Sequence, residues 1–225
     1  NQFGAKTGRF SCSNPNLLNV ANPETSSGQN VANGRCIFGP RNGYIWLAAD
    51  YSQIELRIFA NNAREERLIK AFQDGRDPHN ETREAIPFLA SKPKDIGRKL
   101  AKNTNFTVIN CGGANVLKEK YGIPINEGKP MIEGFYKAYP SSKTRQKEAA
   151  KFAEAKGYII NSFNRKIHVD PNYSYRATSY DIQSSALDLI KISIQRCYDF
   201  TKREKLDIHI LMSIHDELIF EINSH

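Results

Sequence analysis

The sequence has no apolar run near the roughly 18 residues of a membrane-spanning helix, and it has no repeat or low-complexity tract. It also has no signal peptide and no initiating Met, so we expect residue 1 to be a trimmed end. Its cysteines are few and scattered, without metal-ligand spacing: Cys12, Cys36, Cys111 and Cys197. These absences favour a globular protein without a membrane partner, with reduced thiols in the cytoplasm.

The charge balance points to a polyanionic partner. The 225 residues carry a formal net charge of +8 and a pI near 9.3, while 40% hydrophobic and 25% charged residues are ordinary globular values. Nucleic acid is favoured over a membrane surface, because no basic amphipathic anchor stands out. The length fits one large domain or two small ones.

Periodicity predicts alternating helices and strands. Residues 44–51 read as a short buried strand that ends in Asp50, and Ser52 with Glu55 has the spacing of a capping box that opens a helix. Further helices are predicted at 64–72, 94–109, 141–156 and 181–203, and a hairpin at 157–169.

The last segment, residues 206–222, predicts a second β-hairpin with acids at its turn. Apolar residues alternate along each strand. On the first strand Ile208, Ile210, Met212 and Ile214 are expected to share one face. On the return strand Leu218, Phe220 and Ile222 are expected to do the same.

Acidic residues therefore follow two predicted strands. Asp50 ends the first strand, and Asp216 with Glu217 lies at the turn of the final hairpin. If both belong to one sheet, their carboxylates converge into a set of hard oxygen ligands that suits Mg²⁺. Two such ions support phosphoryl transfer. The alternative is that these are merely solvated acids at strand ends.

Helix 94–109 carries a second candidate site. Arg98, Lys102 and Phe106 recur every four residues and so share one helix face. Two cations and an aromatic ring would suit a nucleoside triphosphate. The alternative is a solvated basic face with Phe106 packed into the core.

Three ordered motifs resemble those of family A DNA polymerases, the bacterial polymerase I type. They are "DYSQIELR" (50–57), "RKLAKNTNF" (98–106) and "IHDELIFE" (214–221), which are similar to the family's motifs A, B and C. "TGRFSCSNPNLLN" (7–19), "GRDPHNET" (75–82) and "IQSSALDLIK" (182–191) also have counterparts there. The resemblance spans nearly the whole chain and implies DNA-directed DNA synthesis on a primer 3′-OH.

The resemblance also implies roles for individual residues. Asp50, Asp216 and the accessory Glu217 would be catalytic, and Asp50, Asp216 and the Tyr51 carbonyl would bind two Mg²⁺ ions. The incoming dNTP would contact Tyr51, Gln53, Glu55, His79, Arg98, Lys102 and Phe106. Primer–template DNA would contact Arg9, Asn16, Asn19, Asn105, Arg165, Gln183 and His215. Glu55 and Phe106 would exclude a 2′-hydroxyl, a role preferred here to the capping box.

The implied fold is α+β, with a palm made of an antiparallel sheet with helices and a helical fingers subdomain. The expected segments are palm over 1–62 with motif A, fingers over 63–157 with motif B, and palm over 158–225 with motif C. The family's thumb, exonuclease domain and C-terminal palm end have no counterpart in this sequence. We expect the rest of the polypeptide or a second chain to supply the thumb, in the cytoplasm of a bacterial or phage-infected cell.

Some positions depart from the family pattern. Asn110 replaces the Tyr that stacks near the templating base, and an Asn side chain cannot stack. "QSS" (183–185) replaces Gln-Gly-Thr. Two other functions stay open: a catalytically inactive nucleic-acid-binding fragment, favoured by the basic charge, and a single-subunit RNA polymerase. Glu55 and the "HDE" turn favour deoxynucleotides.

Overall fold

A computed structural model of the chain describes residues 4–14, 16, 38–214 and 216–224. The chain divides into two compact units: unit 1 is Asn1–Ser52 with Ala186–His225, and unit 2 is Gln53–Ser185. Helices and small antiparallel sheets both occur, so the predicted α+β class is confirmed. Within the described residues, no helix combines the length and apolar character that crossing a membrane requires.

Unit 1 is built on a three-stranded antiparallel sheet. Strands β1 (Tyr44–Asp50), β4 (Ile208–Ile214) and β5 (Glu217–Asn223) lie in the order β1-β5-β4, so the final hairpin is confirmed and β5 is central. Helix α9 (Ala177–Arg203) begins in unit 2 and contributes its later turns to unit 1. The core of this unit joins Ile190 of α9 to Leu218 and Phe220 of β5.

Strand β1 is present as predicted, but the expectation that it is buried is wrong. Ile45 and Leu47 are 53% and 49% exposed. In the described sheet β1 pairs with β5 alone and is an edge strand, whereas the buried apolar side chains of this unit's core lie on β5 and α9. An apolar run does not reveal whether a strand is central or lies at an edge.

Strand β4 also departs from its predicted alternation. Ile208 and Ile210 pair with Ile222 and Phe220, but the register then shifts, and Met212 pairs with Ile219. A β-bulge inserts one residue and reverses the faces beyond it. The predicted single face of Ile208 to Ile214 is therefore interrupted, and Met212 is 40% exposed.

Unit 2 is mainly helical. Its helices are α1 (Ile54–Ala63), α2 (Glu66–Gln73), α3 (Pro78–Ala85), α4 (Pro87–Ala90), α5 (Lys94–Ile109), α6 (Ala114–Tyr121), α7 (Ile125–Ala138) and α8 (Pro140–Lys156). A short hairpin, β2 (Tyr158–Ile160) with β3 (Lys166–His168), and a 3₁₀ segment, Pro171–Arg176, complete it before α9. A core centred on Phe59, Phe135 and Tyr139 holds α1 against α7.

The predicted helices at 64–72, 94–109, 141–156 and 181–203 and the hairpin at 157–169 are confirmed within one to four residues. The start of helix α1 differs by one residue from the start that the predicted capping box implies. Helix α1 begins at Ile54, so Gln53 is the N-cap, with a left-handed φ of 57° and no side-chain cap bond. Glu55 is consequently the second helical residue, one position too early for the reciprocal bond of a capping box. The palm and fingers segments inferred from the resemblance stay a prediction.

Candidate active site

The three predicted catalytic acids meet at one edge of the unit 1 sheet. Asp50 is the last residue of β1, and its cross-strand partner is Glu217, the first residue of β5. Asp216 directly precedes Glu217, and its carbonyl accepts a hydrogen bond of 3.3 Å from the Tyr51 amide. The antiparallel register thus brings the strand end with Asp50 beside Asp216, 166 positions later in the chain, and both strand ends do belong to one sheet.

This arrangement concentrates negative charge. Acids directly opposite each other on neighbouring strands repel and destabilise a sheet. The pKa of Asp50 is raised, first by partial burial and then by the charge of Asp216. Carboxylate oxygens under such repulsion fit a divalent cation, which would neutralise them.

The described residues contain no group of three or more His, Cys, Asp or Glu arranged to hold a metal ion. A metal at this edge would therefore rely on the Asp50 and Asp216 pair, with other ligands from the main chain, water or substrate. Mg²⁺ commonly binds in this way, through one or two carboxylates.

Tyr51 is anchored next to these acids. Its hydroxyl lies 2.8 Å from the Ser193 hydroxyl of α9. Because Ser193 donates to the Leu189 carbonyl, it accepts the proton of Tyr51. The side chain is thereby fixed while 40% of it stays exposed.

In unit 2, the packing of α3 against α5 assembles most of the predicted triphosphate site. Arg98 donates to Oδ2 of Asp77 through Nη2 (2.6 Å) and Nε (3.1 Å). Oδ1 of Asp77 caps α3 by accepting from the amides of His79 and Asn80. Burial raises the pKa of Asp77, but the bonds from Arg98 and these amides outweigh it and hold the pKa below its usual value. Lys102, on the same face as Arg98, is exposed.

His79 lies inside this assembly and is fully buried. Its Nδ1 is 3.1 Å from the Asn105 amide nitrogen, and its ring centroid is 5.9 Å from that of Phe106. Burial lowers its pKa to about 4, with Arg98 and Lys102 adding to the effect. The ring is therefore neutral near pH 7, and any bond to a phosphate would come from Nε2–H, which has no partner among the described residues.

Asn105 has a partner inside the protein. It is 1% exposed, and its amide donates to His79. The Asn105 amide is thus occupied inside the protein, and its contact with DNA stays a prediction. We therefore interpret Asn105 as the residue that fixes the tautomer and orientation of His79.

The two remaining nucleotide residues lie at the start of α1. Gln53 is the N-cap, and its side-chain oxygen is buried without a partner in the described part of the chain. Glu55 lies in the first turn and is half-buried.

The predicted DNA-facing residues are spread over both units. In unit 1, Arg9 and Asn16 are exposed. In unit 2, Arg165 and Gln183 are half-buried, and Gln183 donates to Ser179 and Asn110. Asn19 and His215 lie outside the described residues.

Sequence reasoning missed Asp77. The signal was present in "RDPH", because Asp followed by Pro is a common way to begin a helix, with Asp as N-cap and Pro at the first helical position. Its pairing with Arg98, 21 positions later, was not visible from spacing.

Comparison with known proteins finds one family and relatives that carry the same name. The family model described as DNA polymerase family A matches residues 1–225. The chain is 32% identical to the thermostable DNA polymerase I of Thermus aquaticus over 98% of its own length and 27% of that protein's. It is 34% identical to DNA polymerase I of Helicobacter pylori, over 98% of the chain and 25% of that protein.

A solved structure of a polymerase domain is also similar to this chain. The POL domain of Pol1 from M. smegmatis, in complex with DNA primer-template and dNTP, is similar with a TM-score of 0.85 and 28% identity, over 100% of this chain and 41% of that one. The present chain spans about a quarter of the length of the curated relatives it matches.

Proposed function

This chain belongs to DNA polymerase family A, and from that membership we propose that it carries out template-directed addition of deoxynucleotides to a primer 3′-OH. One observation carries the proposal. The fold brings Asp50, Asp216 and Glu217 to the same edge of one sheet, although the first lies 166 positions from the second. Neighbouring carboxylates at a strand edge are destabilising unless they serve a site that neutralises them.

We assign metal binding to this edge. Asp50, Asp216 and the Tyr51 carbonyl would hold two Mg²⁺ ions, with Glu217 as an accessory acid. When bound, the metal pair supplies charge neutralisation for in-line phosphoryl transfer. The chain's own contribution is to hold the carboxylates in place, through the β1–β5 register and the bond from the Tyr51 amide to Asp216.

Within unit 2 we assign triphosphate binding to Arg98 and Lys102. The Arg98 guanidinium has five N–H donors, of which Asp77 takes two. The others stay available for phosphate oxygens, so Asp77 preorganises Arg98 without consuming it. His79 would add a neutral donor through Nε2–H, and Gln53 would assist.

Selection of the sugar is assigned to Glu55 and Phe106. Phe106 packs partly against the core and contacts His79, which supports a fixed ring position. Exclusion of a 2′-hydroxyl by these two side chains would give a DNA rather than an RNA polymerase. A direct comparison of dNTP and rNTP incorporation tests this assignment.

Primer–template contact is assigned to Arg9, Asn16, Asn19, Arg165, Gln183 and His215. Contacts of this kind go to the backbone and to minor-groove acceptors, which do not specify sequence. The relatives are about four times longer, so we expect further segments, a thumb included, to assist in holding DNA.

The decisive experiment replaces the two acids singly, as Asp50→Asn and Asp216→Asn. Primer extension with Mg²⁺ and dNTPs should fall by at least about 100-fold, because loss of a direct ligand should exceed the 10- to 100-fold effect of outer-shell changes. Mn²⁺ binding, followed by electron paramagnetic resonance without DNA, should weaken in parallel. This second readout keeps the test valid if the chain alone holds DNA poorly.

Asp199→Asn is the matched control. It removes one carboxylate from the exposed surface of α9, where the Asp199 side chain accepts a hydrogen bond from Gln195, and should leave both readouts unchanged. If both acid variants extended primers at the wild-type rate, the metal assignment would be wrong. If the wild type bound primer–template but never incorporated dNTP, the inactive nucleic-acid-binding fragment would be the better description.

A further inference from the structure

The C-terminal end of α5 is tied to α9 by Asn110, the residue that stands where the family has Tyr. Its Nδ2 donates to the Phe106 carbonyl (2.9 Å), which is one of the last carbonyls of α5. Its Oδ1 accepts from the Ser179 hydroxyl and from Gln183 Nε2, both at 3.0 Å. We call Asn110, Ser179 and Gln183 the Asn110 latch.

Both of the hydrogen bonds found for Gln183 Nε2 among the described residues lie within the latch. A primary amide carries two N–H donors. Gln183 Nε2 donates to Asn110 and also to the Ser179 hydroxyl at 3.0 Å. The minor groove offers acceptors on every base pair, and a glutamine that contacts one of them donates through its amide nitrogen. Turning the Gln183 amide toward such an acceptor would break at least one of its bonds to Asn110 and Ser179.

We propose that Asn110 is a positioning residue that couples DNA contact by Gln183 to the position of helix α5. The coupling rests on the proposed function, since it takes Gln183 as a DNA contact and α5 as the triphosphate-binding helix. When Gln183 donates to DNA, Asn110 loses a donor, and the last turn of α5 loses part of its attachment to α9. The coupling depends on the Asn110 amide oxygen, which accepts both bonds.

A second tether shows which part of α5 would be released. Gln146 of α8 donates to the Val108 carbonyl at 2.7 Å and accepts from the Tyr136 hydroxyl. This tether holds the same helix end but does not involve α9 or Gln183. Opening of the latch would thus loosen one attachment of the α5 end while the attachment to Gln146 persists. Gln146→Ala removes only this second attachment, so it serves as the matched control.

Cys111 gives a readout of the latch that needs no catalysis. Burial raises the pKa of its thiol to about 11, against hydrogen bonds from the backbone amides of Ser179 and Thr178 in the first turn of α9. Because Cys111 is half-buried in this contact, opening of the contact should speed its reaction with a thiol reagent. The experiment uses the chain with Cys12, Cys36 and Cys197 replaced by Ser, so that Cys111 alone is labelled.

In the labelling experiment, primer–template DNA should speed Cys111 modification of the parent chain by a factor of about five, the equivalent of one net protein hydrogen bond. Asn110→Ala should label faster without DNA, and DNA should add nothing further. Ser179→Ala removes the bonds that Ser179 makes with Asn110 and with Gln183 but keeps the bond from Gln183 to Asn110, so it should label at an intermediate rate and retain part of the response to DNA. Asn110→Asp keeps an accepting oxygen for both donors and should restore the response to DNA.

DNA affinity provides the reciprocal measurement. Because Gln183 no longer has to leave Asn110, Asn110→Ala should bind primer–template up to about five times more tightly than the parent chain. Its KM for dNTP should rise while kcat at saturating dNTP stays within about twofold. Gln146→Ala loosens the same helix end, so it should also raise KM, but it should not tighten DNA binding.

The outcomes separate the two proposals. If the parent chain shows the labelling response to primer–template but incorporates no dNTP, the proposed function fails while the opening of the latch by DNA stands. If it binds DNA while Cys111 labelling stays unchanged, or if Asn110→Ala and Gln146→Ala have equal DNA affinity, only the coupling is overturned.

Discussion

Replacing Asp77 by Asn should separate the two tasks of this carboxylate. One oxygen caps α3, and the other holds Arg98 through two hydrogen bonds. Asn is as good an N-cap as Asp, so Asp77→Asn keeps the cap and loses the ion pair. The pair is 42% and 33% exposed, which limits its contribution to roughly 0.5 kcal/mol. Asp77→Ala loses the cap as well, at about 1 kcal/mol more.

The two variants should therefore differ in stability and agree in nucleotide affinity. Urea unfolding should show a loss of about 0.5 kcal/mol for Asp77→Asn and about 1.5 kcal/mol for Asp77→Ala. Both variants free the Arg98 side chain. Because reordering a long side chain on binding costs about 0.5–1.5 kcal/mol, KM for dNTP should rise about two- to tenfold in both variants. Equal stabilities would refute the capping role. A KM unchanged in both would refute preorganisation of Arg98.

Two further predictions concern the packing around this site. A Cβ at Gly97 would lie 2.6 Å from the Leu89 carbonyl oxygen, so Gly97→Ala should cost about 1–3 kcal/mol in urea unfolding, whereas Gly39→Ala, with open space around it, should be nearly neutral. His79 has a folded pKa of about 4, below its unfolded value of 6.5, so the unfolded state binds more protons between these values and stability falls as the pH drops through that window. The full loss of unfolding free energy is up to about 3 kcal/mol. His79→Gln should reduce the change in unfolding free energy between pH 7 and pH 4.5. If that variant lost stability as steeply as the parent chain, another group would be responsible for the titration.

The fold was predictable where one local signal dominates. Helix α5 has the predicted bounds, because Pro93 sets its start and the apolar and polar faces alternate regularly up to Ile109. Helix α7 was missed because Pro130 lies inside it, and Pro inside a pattern ordinarily argues against a helix. The bulge in β4 was also invisible, since the apolar residues of this strand alternate in the sequence whether or not the pairing register shifts.

The candidate site was likewise predictable only in part. The edge of Asp50 with Asp216 could be inferred because each acid ends a strand, and an antiparallel pair brings opposite strand ends together. Arg98, Lys102 and Phe106 followed from helical spacing alone. Their partners did not: Asp77 lies 21 positions before Arg98, and Gln183 lies 73 positions after Asn110.

Those partners determine what the site residues can do. The family resemblance placed Asn105 among residues facing DNA, and packing of α3 against α5 buries it and uses its amide on His79. The resemblance also predicted for Asn110 only the loss of a stacking ring. Its contacts instead supply two accepted hydrogen bonds that occupy Gln183. A residue's type and period identify the face on which it lies, but tertiary contacts decide whether its donors are free to bind a substrate.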